Sequence, residues 1–364
     1  MARIIIVGAG VVGLSTARAA RAKGHDVVLI ERGPIPNPLA SSWDSHRMIR
    51  HHYGDAAGYT VMVHDAFDAW DRLWADLGAT HFVDTGAIAI AEKDGDYAHR
   101  TLATFRSTGL QHDVLDAAAL SVLCPQYRLT DESFGVVGGR AGPLFADRIV
   151  AGLADLVARM GVELMPDTTV ATVDPAAASV TLADGRTIAG DALVVAAGAW
   201  GGRLVPAFAG HPVMRQALCY VTPPPAYAKA WNEGPALVAY GDNGGYTLPG
   251  VCGTDLKFGY GAHRRPADPD GGVASPEGEA QAILAGFGRF VKDIGAYVPL
   301  RVQVGYYMMD TSRRFRIETE GRMIAVGNCD GQMFKFGPLM GERVIATIEG
   351  AVSRPDLKSW AAGE

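Results

Sequence analysis

A chain of 364 residues, 48% apolar and 20% charged, is long enough for about two domains with cores of their own and far from the compositions that stay disordered. Thirty-nine acidic against thirty-three basic residues leave a formal charge of -6, which supplies no cationic excess to neutralise a nucleic-acid backbone or an anionic membrane. Four scattered cysteines, Cys124, Cys219, Cys252 and Cys329, form neither a C-x-x-C pair nor a metal-ligand spacing, which speaks against a disulfide framework or a zinc site and for a reducing, cytoplasmic setting.

Residues 3–7 are a short β-branched run, residues 13–23 an Ala-rich helical segment stopped by Gly24, and residues 27–30 a second apolar run, so a βαβ unit is predicted at the start of the chain. The apolar run 4–14 is interrupted by glycines and too short to span a bilayer. With Arg18, Arg21 and Glu31 behind it, strand, turn, helix and strand fit it better than an export signal. From residue 63 to 77 apolar side chains recur at three- and four-residue steps up to Gly78, which predicts an amphipathic helix that places Trp70 and Trp74 in the core. Residues 147–160 repeat that pattern and end at Gly161.

Short runs at 162–165, 169–173 and 179–182, a turn at Asp184-Gly185, residues 187–188 and the run 192–197 ending at Gly198 predict a β-meander followed by a parallel strand. The stretch 213–301, richer in Pro, Gly, Tyr and Trp, alternates as antiparallel strands do, and 223–225 and 264–276 read as surface loops. Strands at 315–318 and 323–326, a Gly-containing loop and a helix at 337–348 close the chain. The predicted fold is α/β with an α+β second domain. A Rossmann-like dinucleotide-binding domain with a β-meander takes 1–85, 142–212 and 310–364, and an antiparallel-sheet substrate domain takes 86–141 and 213–309.

Gly8-Ala9-Gly10-Val11-Val12-Gly13 is G-x-G-x-x-G lying directly after a strand and opening a helix, and Glu31 closes the next strand eighteen residues after Gly13. The first glycine permits the tight turn, the second lets backbone approach a diphosphate, and the third lets helix pack on strand, while the helix N-terminus offers free N–H groups to the anion. Glu31 can accept from ribose hydroxyls and disfavours a 2′-phosphate, hence NADP. The turn by itself does not separate FAD from NAD.

Four further segments resemble the D-amino-acid oxidase superfamily, and within it the sarcosine oxidase and N-methyltryptophan oxidase group, over nearly the whole chain. They are residues 47–55 (RMIRHHYGD), similar to R-I-I-R-x-x-Y-G-E; 196–200 (AAGAW), similar to A-A-G-x-W; 245–249 with 256–260 (GYTLP and LKFGY), carrying L-K-x-G-Y; and 327–336 (GNCDGQMFKF), similar to G-x-x-G-H-G-F-K-F. The resemblance implies FAD, a small amine or amino-acid substrate and molecular oxygen, in a monomer or small homo-oligomer. It implies that Arg47 lies against the flavin, that Arg50 and Lys335 grip a substrate carboxylate, that Lys257 promotes the oxygen reaction, and that Tyr246, Tyr307 and Gly261 border the substrate. A fork of guanidinium donors suits a carboxylate, and a fixed cation suits negative charge developing on oxygen. By the same resemblance the cofactor contacts are Gly8, Gly10, Val12, Gly13, Glu31, Arg32, Ser41, Ser42, Arg47, Val170, Ala197, Gly198, Trp200, Gly331, Met333 and Lys335. A C-terminal Gly-rich loop leading into a last helix favours FAD over NAD.

The sequence departs from that group in three places. Gly305 stands where covalent members carry cysteine, so FAD is expected to be held without a covalent bond, and Cys329 is expected to be a buried spectator thiol. Gly261 replaces a histidine after the L-K-x-G-Y match, and His263, read as lying on the same strand face, is a partial substitute. Gln332-Met333 replaces H-G. His46, His51, His52 and His64 make no metal signature and are expected to be partly exposed. Two rival readings stay open: a dehydrogenase or tailoring oxidase of the same fold using another amine or acceptor, and a dinucleotide-binding protein without chemistry.

Overall fold

The computed structural model describes residues 1–364. Arg3–Val7 lies inside a six-stranded sheet ordered Arg316–Glu320, Met323–Gly327, Ala192–Val195, Arg3–Val7, Asp26–Ile30, Glu163–Met165. The strands are parallel except Arg316–Glu320, which pairs antiparallel with Met323–Gly327. Both faces of this sheet are covered, which is why its strands are continuous apolar runs rather than alternating ones. Successive side chains leave opposite faces of a strand. Ile4 and Ile6 therefore pack with the helices Val11–Ala22, Ala57–Leu77, Ala146–Arg159 and Gly337–Ile348, while Ile5 and Val7 pack with Val180 and Leu182 of the meander. That meander is Val170–Asp174, Ser179–Leu182 and Thr187–Ala189.

A second, antiparallel sheet is built on Val213–Thr222, which pairs with the long strand Val298–Met308 on one side and with Leu256–Tyr260 on the other, with Gly245–Leu248 at the edge. Its apolar face gathers Trp231, Phe258, Phe287 and Phe290. A four-stranded sheet, Ala236–Tyr240, Ala87–Ile90, Gly135–Gly138 and His112–Leu115, lies beside it in sequence, and the ribbon Arg47–Ile49 with Gly142–Leu144 joins the two crossing segments of the chain. No helix is long and apolar enough to cross a membrane.

The elements predicted from periodicity form, with ends shifted by a few residues. The helix read at 63–77 begins six residues earlier, at Ala57, because Tyr59, Thr60 and Met62 continue its buried face. Six helices carried too little signal to be read: Tyr97–Thr108, Ala117–Leu123, Gly201–Leu204, Pro225–Glu233, Glu279–Ala285 and Arg354–Ala361. Two expectations fail outright. His263 is not on a strand but in the 3-10 turn Gly261–His263, where its Nε2 meets the Ala282 carbonyl at 2.9 Å, so it cannot stand in for a side chain at 261. His46, His51 and His52 are buried rather than partly exposed, and one nitrogen of each ring meets a carbonyl, of Pro249, Thr60 and Val136 respectively, which lets a neutral imidazole sit in a core. Burial pushes all three imidazoles down, His51 to about 4. Only His64 is exposed.

Candidate active site

One cavity of about 650 Å³ runs from the Gly8–Gly13 turn to the antiparallel sheet. At the turn, Gly8 has φ +102, and a Cβ there would lie 2.5 Å from the Ala196 carbonyl oxygen. A Cβ on Gly13 would come within 1.8 Å of the Gly8 carbonyl oxygen, so helix and strand approach closely only because both positions lack side chains. Gly10 is the helix N-cap and has no side-chain cap of its own; Ser42 Oγ accepts from the Val11 N–H at 3.0 Å, and the remaining first-turn N–H groups have no acceptor within the helix. Glu31 is buried beneath the turn. It accepts from Ala9 N at 2.8 Å, Gly33 N at 3.2 Å and Asn37 Nδ2 at 2.9 Å, which fixes its carboxylate and still leaves a lone pair for a hydroxyl. Glycines that admit a diphosphate, unpaired N–H groups and an oriented carboxylate are together the donor and acceptor set that an FAD adenosine diphosphate needs.

Beyond the turn, Trp200 Nε1 donates to Asp270 at 2.8 Å, Arg32 donates to the same oxygen at 3.1 Å, and the Arg32 guanidinium lies 4.5 Å from the Trp200 ring centroid. Asp270, on a segment read as a plain surface loop, thereby joins both predicted cofactor residues.

The opposite end of the cavity is rich in cations. Lys257 is fully buried on Leu256–Tyr260, and its Nζ donates to Asp44 Oδ2 at 2.5 Å and to the His46 carbonyl at 2.7 Å. Asp44 also accepts from the Tyr220 hydroxyl and pairs with Arg47 at 2.8 Å. Burial pushes the Asp44 carboxyl up, but Lys257, Arg47 and Tyr220 together hold it well below the usual carboxylate range. Burial acts on Lys257 in the other sense, drawing its ammonium down to about 7 against the pull of Asp44.

Arg50 stacks 4.4 Å from the Tyr53 ring centroid, donates to the His52 carbonyl and reaches Gln332 Oε1 at 3.3 Å. Lys335 is buried, its Nζ donating only to the Gln332 carbonyl at 3.0 Å, and burial together with Arg50 lowers its pKa well below that of a free lysine. No carboxylate lies within 4.0 Å of either cation. Gln332 also donates to Asp330 at 2.7 Å, and Asp330 takes Arg313 at 3.0 Å. Asn328, Asp330 and Gly331 all have positive φ, of 46, 45 and 65, so this loop is held in a conformation that only Gly, Asn and Asp adopt readily, consistent with a shape set by its surroundings.

Every residue that the sequence analysis assigned to cofactor, substrate or catalysis lines this one cavity except Gly13, which lies behind the turn; His263, offered as a substitute, does not. Gly305 lines it with open space around it, whereas Cys124 and Cys219 are buried elsewhere and Cys252 is exposed. Cys329 is a half-buried wall of the cavity rather than a buried spectator, with its thiol pushed up to about 11 by burial. Sequence reasoning missed Asp44, Tyr220, Gln332 as a bridge, Asp270 and Arg264. Only Asp44 carried a usable signal, as an acid three residues ahead of Arg47.

Comparison with known proteins fits this geometry. The family model described as FAD dependent oxidoreductase matches residues 3–347. N-methyl-L-tryptophan oxidase of Yersinia pestis (strain Pestoides F) is 26% identical over 373 residues, covering 98% of each chain. Peroxisomal sarcosine oxidase of Mus musculus is 25% identical over 201 residues, 55% of this chain and 51% of that protein. Among solved structures, NikD, an amino acid oxidase essential for nikkomycin biosynthesis, superposes with a TM-score of 0.82 at 18% identity, covering 99% of this chain and 97% of that one. L-proline dehydrogenase from P. horikoshii superposes with a TM-score of 0.83 at 16% identity, covering 99% and 96%. The chain belongs to the FAD dependent oxidoreductase family, and its Gly8–Gly13 turn, Glu31 and cation-lined cavity are the parts of it that suit that cofactor.

Proposed function

We propose that the protein oxidises the C–N bond of a secondary, N-methyl or cyclic amino acid to an imine, which water hydrolyses, and that oxygen takes the two electrons and two protons to become hydrogen peroxide. The observation that carries this reading is the convergence of Arg50 and Lys335, from opposite ends of the chain and without a carboxylate partner, on the cavity that the dinucleotide turn also opens into. Bound FAD supplies a two-electron acceptor for the hydride leaving the substrate carbon.

The chain's own groups do the rest. Gly8, Gly10, Glu31 and Arg32, with Ser41, Ser42, Val170, Ala197, Gly198, Trp200, Gly331 and Met333, hold the cofactor. Arg50 and Lys335 fix the α-carboxylate and so orient the carbon that is oxidised, and Tyr246 and Tyr307 wall the site. Lys335 and Arg47 present positive charge to the flavin, and Lys257 presents it to reacting oxygen. No imidazole lines the cavity and its carboxylates, Glu31, Asp242 and Asp330, are all paired, so the amine reacts in its neutral form. With Gly305 in the wall, FAD is held non-covalently. In this reading residues 1–85, 142–212 and 310–364 carry the cofactor, and 86–141 and 213–309 carry the substrate.

One observation favours a second reading: Lys257 is already paired with Asp44, which weakens its field at an oxygen site and would suit a dehydrogenase that passes electrons to another carrier. The test begins with purified protein, its colour, acid release of the flavin, and anaerobic bleaching by N-methyl and cyclic amino acids. Flavin that stays with the acid-precipitated protein contradicts the non-covalent assignment, and a yellow protein that no amine bleaches contradicts the oxidation. Lys257→Met then separates the acceptors. A reduced flavin that meets oxygen as quickly in the variant as in the wild type removes Lys257 from the oxygen step.

A further inference from the structure

Five arginines besides Arg50 and Arg47 reach the cavity wall, and four of them are matched by an acid of the chain itself. Arg313 pairs with Asp330 at 3.0 Å, Arg100 with Asp242 at 2.9 Å, Arg32 with Asp270 at 3.1 Å, and Arg203 with Asp268 at 2.9 Å. Arg264 is the exception. Its Nε donates to the Gly261 carbonyl at 3.0 Å, its Nη1 meets only the weakly accepting thioether of Met309 at 3.4 Å, and no carboxylate lies within 4.0 Å. The guanidinium fills the space in front of Gly261, where a side chain's Cβ would come 3.4 Å from Arg264 Nη2. It is also close enough to Tyr307 and Tyr246 for its charge to oppose the upward push that burial gives both phenols.

The cavity thus presents three cations without acids, Arg50, Lys335 and Arg264. A single α-carboxylate can be gripped by the first two and leaves the third unmatched. A half-buried guanidinium anchored through Nε, with only the Tyr307 phenol and a thioether near its other donors and no carboxylate, is a charge-bearing donor suited to an oxyanion.

We propose, resting on the amine oxidation above, that the substrate carries a second carboxylate, on its nitrogen substituent or its side chain, and that Arg264 receives it. A match of charge at both ends fixes the amine between the tyrosines. The same arrangement disfavours neutral amino acids, because they leave Arg264 unpaired beside them.

The holoenzyme is assayed on two matched pairs, iminodiacetate against sarcosine for the nitrogen substituent and N-methylaspartate against N-methylalanine for the side chain, in wild type, Arg264→Met and Arg264→Lys. In at least one pair the wild type is expected to favour the diacid in kcat/KM by on the order of tenfold or more. Arg264→Met is expected to bring that ratio close to one, and Arg264→Lys to fall between. A wild type without preference in either pair overturns the proposal, as does a preference that survives in Arg264→Met. If neutral N-methyl amino acids bleach the flavin as well as the diacids do, the oxidation stands and only the second-carboxylate site falls. If no amine bleaches the flavin, the oxidation itself falls. Titration of flavin absorbance with glutarate against butyrate then still decides the Arg264 site: tighter binding of glutarate that disappears in Arg264→Met upholds it, and equal binding overturns it.

Discussion

Asp44 is a carboxylate almost without access to solvent, and three donors, Lys257, Arg47 and Tyr220, converge on it. An ionised acid survives such burial only because these partners replace the water it has lost. Its effect on Lys257 has a definite sign. Burial draws the ammonium down to about 7, and Asp44 opposes this, so the cation is present below that pH and is lost as pH rises through it. Reoxidation of the reduced flavin is therefore expected to slow as pH rises through about 7. In Asp44→Asn the same fall is expected at lower pH, because the opposing charge is gone; stopped-flow mixing with oxygen across pH measures both. A variant whose profile coincides with the wild type would remove Asp44 from control of that cation. In SSWDSHRMIR the spacing of Asp44 and Arg47 hints at their pairing, but nothing there announces Lys257, because that contact spans 213 residues.

Elements position the site by close packing as much as by hydrogen bonds. On the antiparallel pair Gly245–Leu248 and Leu256–Tyr260, Tyr246 stands opposite Gly259, and a Cβ at Gly259 would fall 2.3 Å from the Tyr246 ring. Gly259→Ala must move that ring, an overpacking that costs on the order of 1–3 kcal/mol, and is expected to raise KM with FAD retained, read from steady-state kinetics and the flavin spectrum. Unchanged kinetics would mean that Tyr246 does not border the substrate. The core helix Ala57–Leu77 reaches the other wall. Trp70 stacks on Trp74 at 4.9 Å and donates its Nε1–H to the Lys335 carbonyl at 2.7 Å, so a residue read from periodicity as plain core also fixes the backbone of a candidate binding lysine. Trp70→Phe leaves that buried carbonyl unmatched, a loss of about 1–3 kcal/mol visible in thermal melts, and is expected to lower kcat/KM as Lys335 loosens. A variant as stable and as active as the wild type would deny the hydrogen bond any part in holding that loop.

Across the whole molecule, apolar packing is supplemented by buried ion pairs, one of which fastens a helix to the antiparallel sheet. Arg215 of Val213–Thr222 makes two hydrogen bonds, of 2.6 and 2.8 Å, to Glu279 at the start of helix Glu279–Ala285, with both side chains almost inaccessible. Burial pushes the Glu279 carboxyl up, but Arg215 and Ser275 outweigh it and hold it at about 2. A carboxyl lowered in the folded state adds stability that is present above its ordinary value of 4.5 and lost as pH falls toward about 2. Arg215→Met leaves the buried carboxylate only Ser275 and the more exposed Arg265, and is expected to cost less than the roughly 3–5 kcal/mol of a fully stranded charge and to flatten the acid limb of a melting-temperature profile. An unaltered acid limb would assign that limb to other groups.

The sequence by itself determined the parts whose causes lie within a turn or two of chain. Gly8, Gly10, Gly13 and Glu31 declare a dinucleotide turn because their spacing constrains the backbone directly, and the runs flanking them alternate or continue according to which faces are covered. The convergence of Arg47, Arg50, Lys257 and Lys335 was legible only through a resemblance, since no local pattern brings those positions together. Tertiary structure alone decided which charge meets which: that Lys257 faces Asp44, that His46, His51 and His52 are sealed in, that His263 turns away and that Arg264 is left without an acid. The physical reason is one of range. Propensity and periodicity act over a few residues, whereas the partner of a buried charge is chosen when distant segments pack and water is excluded between them.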